Sequence, residues 1–190
     1  KPFYLFGIDR TVQNTVSESE YGLYFALFNF TFLFQIVNDF GIQNYNNRNI
    51  AQHRHLLHKY FPNILILKAG LALLFFVFVL LFGLFAGYAP AHTGLLLLIG
   101  FNQVLNALVL FFRSNISGLG HYRLDSLLSI TDRLLLILLC SALLWGEVLP
   151  GPFQIKWFVW AQTLALGTTA LLAFSIIMRH LNQFKLKFNY

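Results

Sequence analysis

The sequence predicts an all-α fold, a polytopic transmembrane helix bundle of five complete spans preceded by a truncated first helix. Of the 190 residues, 57% are apolar and only 11% are charged, whereas about 25% are charged in a typical soluble domain. The apolar residues form stretches that approach the roughly 20 residues needed to cross a bilayer. The basic residues alternate between the connecting loops. This composition excludes a disordered chain and an ordinary soluble enzyme, and a single cysteine, Cys140, excludes a disulfide scaffold.

The first helix begins inside an apolar run, without an initiator Met or the pattern of a signal peptide. Residues 1–16 are therefore expected to be the second half of a cut helix, and the chain a fragment that is cut again after a cytoplasmic linker. The five apolar stretches that follow are residues 21–42, 64–91, 94–112, 124–145 and 157–178.

Turn-forming residues separate the later spans. Gly and Pro occur together at residues 87–94 and at residues 146–152, and Ser and Gly recur over residues 114–120. We expect short loops at these three places.

The distribution of Lys and Arg predicts the orientation of the spans. Nine of these residues lie in residues 43–68, in residues 113–123 and in the tail after Met178, against one in the other two loops. Loops rich in Lys and Arg stay on the cytoplasmic side. These three segments are therefore expected to be cytoplasmic, and the net charge of +6 needs no nucleic-acid partner to explain it.

Polar residues within the predicted helices align on single helical faces, because positions three, four and seven apart share a face. We favour a polar cavity between helices, since a dry bundle has little reason to bury many amides. The alternative is interhelical hydrogen bonding that joins a dry bundle, with Asp–Arg pairs neutralising each other. Arginine suits bidentate contact with phosphate, so an Arg-lined cavity would suit a substrate that bears a pyrophosphate.

Other functional signals are weak. His53, His55 and His58 do not share one helical face, so neither a metal site nor a cofactor is expected. No nucleophile–His–acid arrangement occurs, and an enzyme is not expected.

Three motifs carry a family resemblance. They are Glu20-Tyr21-Gly22-Leu23-Tyr24, then Asp39-Phe40-Gly41, then Arg48-Asn49-Ile50-Ala51. The run Arg113–Gly120, followed by Asp125 and by Asp132-Arg133, resembles a loop of the same family. The chain thus resembles Wzx-type lipid-linked oligosaccharide flippases of the multidrug/oligosaccharidyl-lipid/polysaccharide exporter superfamily.

The resemblance implies two lobes of six or seven helices around a central cavity that opens alternately to each side of a bacterial cytoplasmic (inner) membrane. Residues 1–190 would be the N-terminal transmembrane lobe, with its first helix truncated. The implied cargo is a polyprenyl-pyrophosphate-linked oligosaccharide repeat unit, exported for a polysaccharide such as the O-antigen of lipopolysaccharide. The implied partners are membrane lipid, the C-terminal lobe of the same protein and Na⁺ or H⁺ as coupling ion.

On this hypothesis the polar faces divide into two sets. The substrate-binding residues are Arg10, Gln13, Gln35, Arg48, Asn102, Asn106, Arg113 and Arg133. The coupling or orienting residues are Asp9, Asp39, Asp125 and Asp132. Two alternatives remain open: a small-molecule or drug exporter of the same superfamily, which needs carboxylates deep in the cavity, and a non-transporting assembly subunit, which needs a dry bundle.

Overall fold

The computed structural model describes residues 4–53, 57–88, 92–146 and 153–188, with side chains from residue 7 to residue 181. Within these ranges the chain is helical and contains no strand, which confirms the predicted all-α fold. A π-helical segment leads directly into the first of the α-helices. The elements are the π-segment (Tyr4–Asp9), α1 (Arg10–Thr15), α2 (Glu18–Leu33), α3 (Gln35–Asp39), α4 (Ile42–Gln52), α5 (Leu57–Phe85), α6 (Thr93–Gly118), α7 (Tyr122–Trp145) and α8 (Ile155–Phe188).

Four of the helices are long and apolar enough to cross a bilayer by themselves: α5, α6, α7 and the Ile155–Leu181 part of α8. The fifth candidate is a bent pair, in which Glu18–Leu33 meets Gln35–Gln52 at an angle of 48°. With the bent pair counted as one span, the described residues contain the five spans that the composition predicts.

The bent span differs from its prediction as one continuous helix over residues 21–42. It breaks at Phe34 and again at Phe40 and Gly41, whose φ angles of 44° and 77° are left-handed. Glycine adopts this conformation at little cost, whereas a residue with a Cβ is strained in it. Helix α4 then continues through Gln52, in a region expected to be a loop.

Helix α4 forms despite its polar composition because one of its faces packs on α6. Asn46 and Ile50 are buried on this face, while Tyr45 and Arg48 are exposed. A polar sequence of this kind is predicted to be a loop when its packing partner is unknown.

The helices also extend beyond the predicted spans. Helix α5 begins at Leu57 rather than at residue 64, and α6 continues to Gly118 rather than stopping at residue 112. Polar residues in these extensions form hydrogen bonds within the protein. Ser114 and Asn115, for example, both donate to the carbonyl of Phe111, at 2.7 and 2.6 Å.

Helix α6 is the centre of the bundle and contacts every helix from α2 to α8. In an 18-residue apolar stretch of α6, 56% of the residues are buried, whereas 17% are buried in the corresponding stretch of α5 and of α7. Gly100 and Ala107 help α6 to occupy the centre of the bundle, because small residues let neighbouring helices approach closely.

The segments expected to be cytoplasmic meet at one end of the bundle. The rings of His121, in the α6–α7 turn, and His180, late in α8, lie 4.6 Å apart. Phe61, early in α5, packs on Phe112 and Phe174. The basic segments therefore share one end, as the alternation of Lys and Arg requires.

Candidate functional site

A cavity of about 330 Å³ lies between the π-segment and helices α2, α6, α7 and α8. It is near the middle of the spans, because its residues on α6 and α7 stand close to the centres of those helices. Its polar lining is Asp9, Tyr21, Tyr24, Asn102, Gln103, Asn106, Asp132, Arg133 and Gln162, and its apolar lining is Phe25, Phe28, Phe32, Ile99, Leu136, Ala165 and Leu166.

Helix α2 supplies an aromatic wall to this cavity. Tyr21, Tyr24, Phe28 and Phe32 recur at helical spacing and so share one face. Successive ring centroids lie 6.0, 6.1 and 6.2 Å apart, and the last two rings are stacked. The wall is held in place by Gln162 of α8, which donates to the Tyr24 hydroxyl at 3.0 Å.

Helix α6 supplies two amides with different surroundings. Asn102 donates to the carbonyl of Val159 at 3.0 Å and accepts from the Thr163 hydroxyl at 2.7 Å, so both ends of its amide are engaged by α8. Asn106, one turn later, is half-buried. Asn102 therefore joins two helices, while Asn106 lines the cavity.

The charged groups of the cavity are two carboxylates and one guanidinium among the described residues. Asp9 accepts from the Tyr21 hydroxyl at 3.3 Å. Asp132 Oδ2 lies 3.6 Å from Arg133 Nε, while its Oδ1 is buried and has no hydrogen-bond partner in the described part of the chain. The expected Arg-lined cavity is therefore not what the helices assemble.

Five of the twelve predicted site residues line this cavity: Asp9, Asn102, Asn106, Asp132 and Arg133. The other seven lie elsewhere. Arg10 and Gln13 are exposed on α1, and Arg48 is exposed on α4. Gln35 and Asp39 line a second pocket of about 380 Å³ at the bend between α3 and α4. Arg113 and Asp125 pair with each other at 2.7 Å.

Asp39 pairs with a lysine rather than with one of the arginines. Lys68 Nζ lies 2.6 Å from Asp39 Oδ1, and the Lys68 side chain is only 2% exposed. Lys68 was counted among the loop cations, but it lies within α5 and 5.7 Å from the centre of the Phe111 ring. The cation that neutralises Asp39 is therefore part of the protein.

Sequence reasoning missed Lys68, Gln162 and the aromatic wall. A signal existed for two of them. Phe61, Lys68 and Phe75 are seven residues apart, which places Lys68 on a buried apolar face. The tyrosines and phenylalanines of α2 likewise recur at helical spacing. Gln162 has no such signal, because its partner Tyr24 is far away in the sequence.

The three-histidine run lies partly outside the described residues, since His55 is not among them, while His53 and His58 flank the junction between α4 and α5. The described residues contain no group of three or more His, Cys, Asp or Glu that could hold a metal ion.

The comparisons with known proteins give one match. A sequence model of the family described as "Polysaccharide biosynthesis protein" matches residues 10–189. No curated protein and no solved structure matches the chain. The matched region contains all five candidate spans and every residue of the central cavity except Asp9.

Proposed function

We propose that this chain, which belongs to the polysaccharide biosynthesis protein family, moves a polyprenyl-pyrophosphate-linked oligosaccharide repeat unit across the bacterial cytoplasmic membrane. The chain is a multi-pass membrane protein, and its family membership points to a role in export. The observation that supports the finer proposal is a cavity near the middle of the spans whose lining includes nine polar or charged residues.

An oligosaccharide cannot cross a bilayer without replacing its hydration. The transfer of a hydroxyl or amide into an apolar phase without a hydrogen bond costs roughly 2–7 kcal/mol of free energy. The cavity offers the amide of Asn106 and the carboxylates of Asp9 and Asp132 as replacements for water. A dry assembly subunit would have no cavity lined by such groups, so this lining favours a transporter.

The proposed step is a movement and breaks no covalent bond. In this proposal the cavity is exposed to one side of the membrane at a time, against a second lobe. The break at Phe40 and Gly41 lies in the bent span beside the Asp39–Lys68 pair, where a change of bend would alter access. In this proposal Na⁺ or H⁺ supplies the energy and is sensed by Asp9 and Asp132, the two carboxylates in the cavity lining among the described residues.

The test is an export assay in cells that lack their own copy of the protein. With Asn106→Leu or Arg133→Ala in the full-length protein, we expect surface polysaccharide to fall at least about tenfold, since one lost polar contact is worth about 1.4 kcal/mol. Lipid-linked repeat units should accumulate on the cytoplasmic side.

The matched control is Arg123→Ala, because Arg123 is an exposed arginine on the same helix and lies outside the cavity. It should export normally. Full export by both cavity variants at normal protein levels would remove this cavity from the mechanism.

A second candidate function, export of organic cations, is favoured by one observation: two carboxylates share the cavity with an aromatic wall. Aromatic faces and carboxylates together bind cations. Under this alternative, Asp132→Asn abolishes the efflux of a cationic dye and leaves polysaccharide export intact. Under the first proposal, the cells show no dye efflux that depends on Asp132.

A further inference from the structure

The charge of the central cavity opposes the binding of a pyrophosphate. Among the described residues its wall carries Asp9 and Asp132 against one cation, Arg133, which already lies 3.6 Å from Asp132. Two like charges 4 Å apart repel by about 4 kcal/mol at the effective dielectric of a protein surface. A multiply charged anion would face two such repulsions with one shared guanidinium to offset them.

The same wall has the chemistry that recognises a sugar ring. A sugar presents apolar C–H faces and a rim of hydroxyl groups. The rings of Tyr21, Tyr24 and Phe28 offer flat apolar surface with hydroxyl groups at its edge. Asn106 offers both a donor and an acceptor, and the carboxylates offer acceptors.

The size of the cavity limits how much of the cargo it can hold. Its volume of about 330 Å³ is at the lower end of the roughly 300–1,000 Å³ found for small-molecule sites. A cavity of this volume holds a short stretch of an oligosaccharide.

We infer that this cavity is a subsite for a sugar without negative charge, and that the pyrophosphate of the same substrate binds outside it. This inference rests on the proposed function. It assigns the sugar and the pyrophosphate of one substrate to two different sites. Asp132 is the residue that determines specificity. Asp132 lines the cavity, so its carboxylate accepts a sugar hydroxyl and its negative charge rejects acidic sugars.

The test measures protection of a cysteine in the cavity of the purified full-length protein. The reporter is Leu166→Cys, which lines the cavity and removes no polar group, in a Cys140→Ala background that lacks the native buried thiol. The probes are N-acetylglucosamine, glucuronate and inorganic pyrophosphate at matched concentration. The quantity measured is the rate at which a small water-soluble thiol reagent modifies the cysteine with and without each probe. Ser126→Cys, exposed on the same bundle and outside the cavity, is the matched control.

We expect N-acetylglucosamine to slow the modification of the Leu166→Cys thiol at least threefold, roughly 0.7 kcal/mol by RT ln 3. Glucuronate and pyrophosphate should have no effect, and no probe should protect the Ser126→Cys thiol. Adding Asp132→Asn should extend protection to glucuronate.

Different failures overturn different claims. Protection by pyrophosphate, equal protection by glucuronate, or no protection by any probe of a reactive cavity thiol would overturn the sugar subsite and leave the export role standing. A cavity thiol that never reacts, while the Ser126→Cys thiol does, would mean that water does not reach the cavity. That result would overturn the proposed function together with the subsite.

Discussion

Lys68 shows how a single charged side chain is kept inside this bundle. Its ammonium group is buried against Asp39 and lies near the ring of Phe111. The two partners differ in exposure, since Lys68 is 2% exposed and Asp39 is 29% exposed. Removing the carboxylate therefore leaves a charge that water does not reach, whereas removing the ammonium leaves one that water reaches in part.

We expect Asp39→Asn to lower the free energy of unfolding by about 3 kcal/mol, because it leaves the buried ammonium unpaired. Lys68→Met should lower it by less. Thermal unfolding in detergent measures both. The double variant should recover most of the stability of the native pair, because no buried charge remains. An equal or reversed order of the two single variants would show that the pair is hydrated.

Asn102 supports a second prediction about single residues. Its amide oxygen accepts from Thr163, whereas the Thr168 hydroxyl donates to the carbonyls of Leu164 and Ala165 in its own helix. A double-mutant cycle of Asn102→Ala with Thr163→Val should give a coupling energy of about 0.6–2 kcal/mol, the range found between membrane helices. The same cycle with Thr168→Val should give none, and coupling there would indicate a general loosening of α8.

A glycine lies at the contact between helices α4 and α6, where a side chain would not fit without a shift of its neighbours. A Cβ built at Gly118 would lie 3.0 Å from Ile50 Cγ2 and 3.2 Å from the carbonyl oxygen of Asn47. The second of these contacts is with backbone, which cannot rotate away. The polar helix α4 therefore depends on this glycine for its packing on α6.

Gly118→Ala should accordingly destabilise the protein by about 1–3 kcal/mol, the cost of overpacking. Gly167→Ala is the control, because a Cβ at Gly167 meets nothing within 4 Å. It should be neutral or stabilising by up to about 1 kcal/mol, since alanine favours helix. Chemical unfolding measures both, and equal effects would contradict the close approach of α4 to α6.

The molecule as a whole has its basic segments at one end, which sets a prediction about orientation. Loops rich in Lys and Arg remain in the cytoplasm. In intact cells, a membrane-impermeant thiol reagent should label Ser19→Cys, at the start of α2. It should label Ser126→Cys, at the start of α7, only after the membrane is permeabilised. Both serines are exposed, so labelling in the opposite order would invert the topology.

The amino-acid sequence by itself determined the fold class, the number of spans, the family and the segments that share one end. The family follows from the resemblance of short motifs, whereas the other properties depend on local composition, on the length of each apolar stretch and on charge in the loops, so all of them can be read without knowing any contact. Helix α4 was missed because its polar residues are stabilised by packing on α6, and composition does not contain that packing.

Only the tertiary structure decided which polar faces meet. Helical periodicity assigned Asn102, Arg113 and Asp132 to faces of their own helices, but a face does not identify its neighbour. Packing brought Asp132 and Asn106 into one cavity and left Arg113 outside it with Asp125. Contacts such as Tyr24 with Gln162 join distant parts of the chain. They are set by how the other four candidate spans pack around α6, which is a property of the whole bundle.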